Sequence, residues 1–106
     1  MEPGRLEELY DWLRIPSIST GGGEASDLLA AAEFAAAIIR RAGGEAELVT
    51  NGAGNPLVVG ELNAIREGAP TVIIYGHYDV QGPGPLDLWQ SPPFEPEVRA
   101  DRLYAR

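Results

Sequence analysis

The chain has 106 residues and a formal charge of −8, with 16 Asp and Glu against 8 Lys and Arg. That balance argues against nucleic acid or an anionic membrane as a partner, since phosphate binding needs clustered basic side chains. Hydrophobic residues at 44% and charged residues at 23% exclude wholesale disorder, and the absence of cysteine removes disulfides, thiolate zinc sites and thiol nucleophiles together. At this length the chain is one domain or part of one, able to bury about 65% of the surface of its unfolded form. The opening Met1-Glu2-Pro3-Gly4-Arg5 is not the basic start of a secretory leader, and no apolar core follows it. The longest apolar stretch, 28–39, is broken by Glu33 and is too short to span a bilayer. A soluble cytoplasmic protein is the expectation.

Residues 3–14 read as a helix. Leu6, Leu9, Tyr10 and Leu13 fall at i, i+3, i+4 and i+7 and make one apolar stripe. Pro3 suits the first turn, and Pro16 pushes Ile15 out of helical geometry. Residues 17–23 form a polar, glycine-rich connector. A second helix is predicted from Ser26 or Asp27 to Arg41, with Leu28, Ala32, Ala35, Ala36 and Ile39 on one face. Asp27 and the Arg40-Arg41 pair complement its dipole, and Gly43-Gly44 supplies a left-handed stop. Its alanines permit close packing on a sheet.

Beyond Gly44 the period shortens. Residues 46–49 and 57–62 are strand candidates separated by the turn cluster Asn51-Gly52-Ala53-Gly54-Asn55-Pro56. After a break at 63–70, Thr71-Val72-Ile73-Ile74-Tyr75 is apolar without alternation, the pattern of a strand covered on both faces in the middle of an α/β sheet. Its prolines make 82–96 an extended loop, and 97–99 with 102–104 predict a hairpin turning at Ala100-Asp101. Two helices are few to cover both faces of a central strand. The pattern therefore predicts an α/β unit with an incomplete sheet and, when alone, exposed apolar surface, free strand edges and marginal stability.

Tyr75-Gly76-His77-Tyr78-Asp79-Val80 follows the apolar run directly, and ligands in open α/β sheets collect beyond the carboxyl ends of strands. At i and i+2 in extended backbone, His77 and Asp79 point the same way. An imidazole beside a carboxylate has two chemical uses: a metal ligand whose second N–H is held by the carboxylate, or the base and orienter of a nucleophilic triad. No serine lies in a nucleophile-elbow context, which weakens the second. Both compete with a plain reading in which the imidazole is solvated and Asp79 opens a turn. Gly21-Gly22-Gly23 has neither the preceding strand nor the Lys-Ser/Thr pair of a phosphate loop and reads as a connector. Trp89, Phe94 and Tyr104, beside prolines, read as loop anchors more than as a pocket.

Four blocks taken together go further: Ile15-Pro16-Ser17-Ile18-Ser19, Tyr75-Gly76-His77-Tyr78-Asp79-Val80-Gln81, Trp89-Gln90-Ser91-Pro92-Pro93-Phe94-Glu95-Pro96 and Arg102-Leu103-Tyr104-Ala105-Arg106. In order and spacing they resemble the N-terminal part of M20-type zinc metallopeptidases, the group of carnosinase-like dipeptidases, acetylornithine deacetylase and succinyl-diaminopimelate desuccinylase. The resemblance covers nearly the whole chain, and the wording of residues 76–81 is nearest the dipeptidase branch. It implies a three-layer α/β/α catalytic domain of which residues 1–106 are the N-terminal part, the rest of that domain and a dimerisation domain being absent here. It also implies two zinc ions in the complete enzyme, or cobalt or manganese in their place. By resemblance His77 is a zinc ligand and Asp79 the catalytic carboxylate that orients its imidazole. The complete enzyme would be a homodimer acting on a small peptide or an N-acyl amino acid.

The activity implied is hydrolysis of a dipeptide amide bond by metal-activated water, with N-acyl amino acid deacylation as the alternative in the same family. The family's bridging aspartate, its glutamate pair and its later ligands have no counterpart in this sequence. Catalytic zinc ordinarily takes about three protein ligands, so the chain alone is expected to be catalytically incomplete. An alternative of another class is a non-catalytic α/β interaction module that persists by packing against another chain.

Overall fold

The computed structural model describes residues 3–50, 52 and 54–106. Met1 and Glu2 of the opening segment, and positions 51 and 53 of the predicted turn cluster, lie outside the described residues. Helix α1 runs Pro3–Leu13 and ends where Pro16 requires, with the Ile15 N–H donating to the Trp12 carbonyl at 3.1 Å. Leu6, Leu9, Tyr10 and Leu13 are each half-buried. The firmest anchor of α1 is Trp12, which the apolar stripe does not include. Its Nε1–H donates to the Ala31 carbonyl at 3.2 Å, and its ring stacks on Phe34 with centroids 6.2 Å apart.

Helix α2, Ala25–Arg41, carries the small core: Leu28, Ala31, Ala32 and Ala36 are buried, while Ala35 and Ile39 are half-buried. Its end is closed by two reciprocal bonds, Gly43 N–H to the Arg40 carbonyl and Gly44 N–H to the Ile39 carbonyl, both 3.0 Å. Gly43, at φ 92°, takes the left-handed position that glycine fills without steric cost. Strands β1, Glu45–Val49, and β2, Leu57–Glu61, pair antiparallel with Ala46 opposite Gly60 and Leu48 opposite Val58. That face meets α2 closely. A Cβ on Gly44 would lie 2.7 Å from the Glu61 carbonyl oxygen, and one on Gly60 2.7 Å from Ile39 Cδ1. The Arg40 guanidinium adds two bonds to the Ala46 carbonyl, 2.7 and 3.2 Å, tying the helix end to β1.

The run 71–75 departs from expectation. It pairs with no described strand, and Val72, Ile73, Ile74 and Tyr75 are 76, 90, 92 and 89% exposed. The predicted strand buried on both faces is not formed. β-Branched composition expresses a fit to neighbours on a pleated surface, and here α2 packs on the separate β1–β2 hairpin.

Downstream, a single 3₁₀ turn at Leu86–Leu88 interrupts the proline-rich loop, and Trp89 pins that loop through Nε1–H to the Pro83 carbonyl at 2.9 Å. Strands β3, Glu97–Arg99, and β4, Arg102–Tyr104, form the predicted hairpin, with Ala100 at φ 55° and the Arg99 guanidinium 3.8 Å over the Tyr104 ring.

Two helices and two antiparallel hairpins give an α/β class with an incomplete sheet, as the pattern predicts. The molecule is open. Its accessible surface is 8082 Å², against about 5,700 Å² for a compact monomer of this mass. Its radius of gyration is 16.1 Å, where about 13 Å is usual. No large side chain among the described residues is fully buried, and no helix is long and apolar enough to cross a membrane.

Candidate functional site

The two polar residues singled out in the sequence are neighbours in space. His77 Nδ1 lies 2.9 Å from the Asp79 carbonyl oxygen and 3.1 Å from Asp79 Oδ1. A carbonyl can only accept a hydrogen bond, and so can an ionised carboxylate. Nδ1 must therefore carry a proton, and in the neutral imidazole that leaves the lone pair on Nε2. With the side chain 74% exposed, the ring is accessible to a ligand.

Asp79 is held from its other side by a serine: the Ser19 hydroxyl donates to Asp79 Oδ2 at 2.5 Å. That bond is the chief reason its carboxyl sits below the ordinary carboxylate range; its own backbone N–H and His77 add to the effect, and partial desolvation opposes it. Tyr78, between the two, donates its hydroxyl to the Pro56 carbonyl at 2.6 Å, which joins the loop to the start of β2. Desolvation, and then the Asp79 charge, push the Tyr78 phenol up.

The segment that carries Ser19 has the character of a connector in the sequence, yet the structure makes it the loop's support. Ile18 and Val80 form a parallel bridge, through Val80 N–H to the Ser17 carbonyl at 2.9 Å and Ser19 N–H to the Val80 carbonyl at 3.0 Å. Ser17, 4% exposed, donates its hydroxyl to the Tyr78 carbonyl at 2.8 Å, and Thr20 Oγ1 accepts from the Gly82 N–H at 3.1 Å. Sequence reasoning assigned no role to these hydroxyls. A signal was present in the spacing, since Ser17 and Ser19 stand two apart, as His77 and Asp79 do, and side chains two apart in extended backbone share a side.

Among the described residues no group of three or more His, Cys, Asp or Glu could hold a metal ion. The donor set thus fits one ligand position, His77 Nε2 with its carboxylate support, and not a complete zinc site, which needs about three protein ligands. Two surface depressions lie elsewhere. One follows Glu45, Glu47, Val59 and Glu61 on the hairpin, and the other sits beside Leu86, Trp89 and Pro93. The glycines of the 21–23 connector are exposed, with positive φ at Gly21 and Gly22, and Trp89 and Tyr104 are engaged by the Pro83 carbonyl and the Arg99 guanidinium.

No family model matches the chain. A stretch of 40 residues, 38% of the chain, is 58% identical to succinyl-diaminopimelate desuccinylase of Methylococcus capsulatus, covering 11% of that protein. The corresponding proteins of an Azoarcus species and of Xylella fastidiosa are 57% identical over 37 residues and 48% identical over 40. The likeness is to desuccinylases. It supports the M20-type resemblance carried by the four sequence blocks and falls on the deacylase side of that family, not on its carnosinase-like branch. The matched stretch covers only about a tenth of these relatives, 35 to 38% of this chain and 10 to 11% of theirs.

Proposed function

We propose that residues 1–106 form the N-terminal part of the catalytic domain of an amide hydrolase that removes an acyl group, succinyl among them, from an amino acid nitrogen. The observation that carries this reading is the 58% local identity to a desuccinylase. In it His77 contributes one metal ligand through Nε2, and Asp79 fixes the tautomer that makes Nε2 a donor. A carboxylate behind a metal-binding imidazole also raises its basicity. Zinc, when bound, supplies an acidified water and a polarised amide carbonyl. The remaining ligands and the proton-transferring carboxylate come from polypeptide beyond this chain, as does the cover for residues 71–75. That cover is supported by the roughly 2,400 Å² by which the surface, 8082 Å², exceeds that of a compact monomer.

The test uses the natural full-length polypeptide loaded with zinc and offered an N-succinyl amino acid beside a dipeptide. Faster cleavage of the succinyl amide is expected. Replacing His77 by alanine should reduce turnover by at least about 100-fold, the upper end for loss of a mere supporting group, since here a ligand itself is removed. Unaltered turnover takes His77 out of the site. Preferred dipeptide cleavage overturns the deacylase assignment. Failure to cleave either substrate leaves the interaction module that the open surface suggests.

A further inference from the structure

An aspartate beside a histidine is a weak guide unless something fixes the aspartate. The χ2 torsion of Asp is broad and two-fold, so a free Asp79 carboxylate would present either oxygen to the imidazole or turn to water. Here one oxygen is taken. Ser19 Oγ–H reaches Oδ2 at 2.5 Å, within the range of a charge-assisted O–H···O⁻ bond, and Oδ1 is left facing His77 Nδ1 at 3.1 Å, beside the Asp79 carbonyl oxygen at 2.9 Å. Ser19 is itself fixed by main-chain bonds on both sides of the Ile18–Val80 bridge, by the buried Ser17 hydroxyl on the Tyr78 carbonyl, and by Thr20 on the Gly82 N–H. We propose that Ser19 is a positioning residue for the His77–Asp79 pair: it locks the Asp79 rotamer, so that Oδ1 joins the Asp79 carbonyl in holding the Nδ1–H tautomer that leaves the Nε2 lone pair for a ligand. The chain of contacts runs hydroxyl, carboxylate, imidazole, ligand. The proposal rests on the reading of His77 as a metal ligand only at its last link.

The variants are Ser19→Ala, which removes the donor, and Ser19→Thr, which keeps it, both in the natural full-length polypeptide. Two readouts separate the links. Imidazole ¹⁵N shifts in the metal-free protein, recorded about two pH units above the ordinary histidine value of 6.5 and assigned against His77→Ala, report the tautomer. Competition with a chromophoric chelator reports zinc affinity. In Ser19→Ala the His77 signals are expected to move from Nδ1–H toward a tautomer mixture, with zinc affinity falling about 10- to 100-fold. Ser19→Thr should restore both to within about twofold, the scatter of an ordinary surface change. An unchanged tautomer in a folded Ser19→Ala variant overturns the proposal, and so does a folded Ser19→Thr variant that behaves like the alanine. If His77→Ala leaves zinc affinity intact, the metal-ligand reading fails, while the tautomer measurement still decides the role of Ser19.

Discussion

Alanine at Ile73 or Ile74, in this chain and in any longer polypeptide that contains it, asks whether the apolar run 71–75 becomes interior. In this chain the two side chains are 90 and 92% exposed, so truncation here removes almost no packing and should lie within about 0.5 kcal/mol of no effect. The surface excess, 8082 Å² against about 5,700 Å², is large enough for such burial. Four of the five residues in the run are apolar and between 76 and 92% exposed. Successive strand residues face opposite sides. A strand covered on both faces therefore makes each substitution cost about 2–5 kcal/mol by lost burial and cavity formation. With a urea slope near 2 kcal/mol/M, the midpoint should fall by about 1–2.5 M for each variant. One costly and one neutral substitution would mean cover on a single face. Two neutral substitutions would refute the reasoning, leaving residues 71–75 a solvent-facing segment and the sequence pattern misleading.

Three further perturbations bear on the scaffold and the site. Trp12→Phe keeps the stacking on Phe34 but loses the bond to the Ala31 carbonyl, and should cost about 0.5–1.5 kcal/mol in equilibrium unfolding; Trp12→Ala should cost more, by about the worth of an aromatic pair plus burial, 2–4 kcal/mol in all. Gly44→Ala drives a Cβ to 2.7 Å from a backbone oxygen that cannot swing aside, so a loss of about 1–3 kcal/mol is expected by thermal melting, and an unchanged melt would mean that the α2–hairpin contact is looser than described. The third is a pH effect. The Asp79 carboxyl is lowered below its ordinary value of 3.8, first by Ser19, so it binds its proton less readily in the folded state than in the unfolded one. Its contribution is fully present above that ordinary value and disappears as pH falls through the lowered one. The stability difference between the protein and its Asp79→Asn variant should accordingly shrink below about pH 4. A difference that stays flat down to about pH 2.5 would contradict the hydrogen bonds assigned to this carboxylate.

Local signals carried most of the regular structure. Pro16 ends α1, Gly43 and Gly44 end α2, and the Ala100-Asp101 turn separates β3 from β4, because each depends on residues within one turn of itself. What depends on distant partners was not legible. The pattern of 71–75 predicts an interior strand, but interior is a property of neighbours, and no described strand pairs with it. Trp12 escaped the stripe at i, i+3, i+4 and i+7, since its use comes from Phe34 and the Ala31 carbonyl on another helix. At the site, the spacing of His77 and Asp79 was enough to expect their contact. The hydroxyls of Ser17, Ser19 and Thr20 lay hidden in a segment whose glycines mark it as a connector, because their partners come some sixty positions later.

That separation has a kinetic meaning. The Trp12 bond to Ala31 closes 19 residues, whereas the Ser19 bond to Asp79 closes 60. The entropy of loop closure makes the longer loop about 1 kcal/mol harder to shut, and contacts of long sequence separation slow folding generally. The helix pair and its hairpin can therefore assemble while residues 76–82 are still loose, and the imidazole acquires its fixed orientation late. In pulse-labelled hydrogen exchange the amides of α2 should gain protection before that of Val80, so that the chain builds its frame first and its chemistry afterwards.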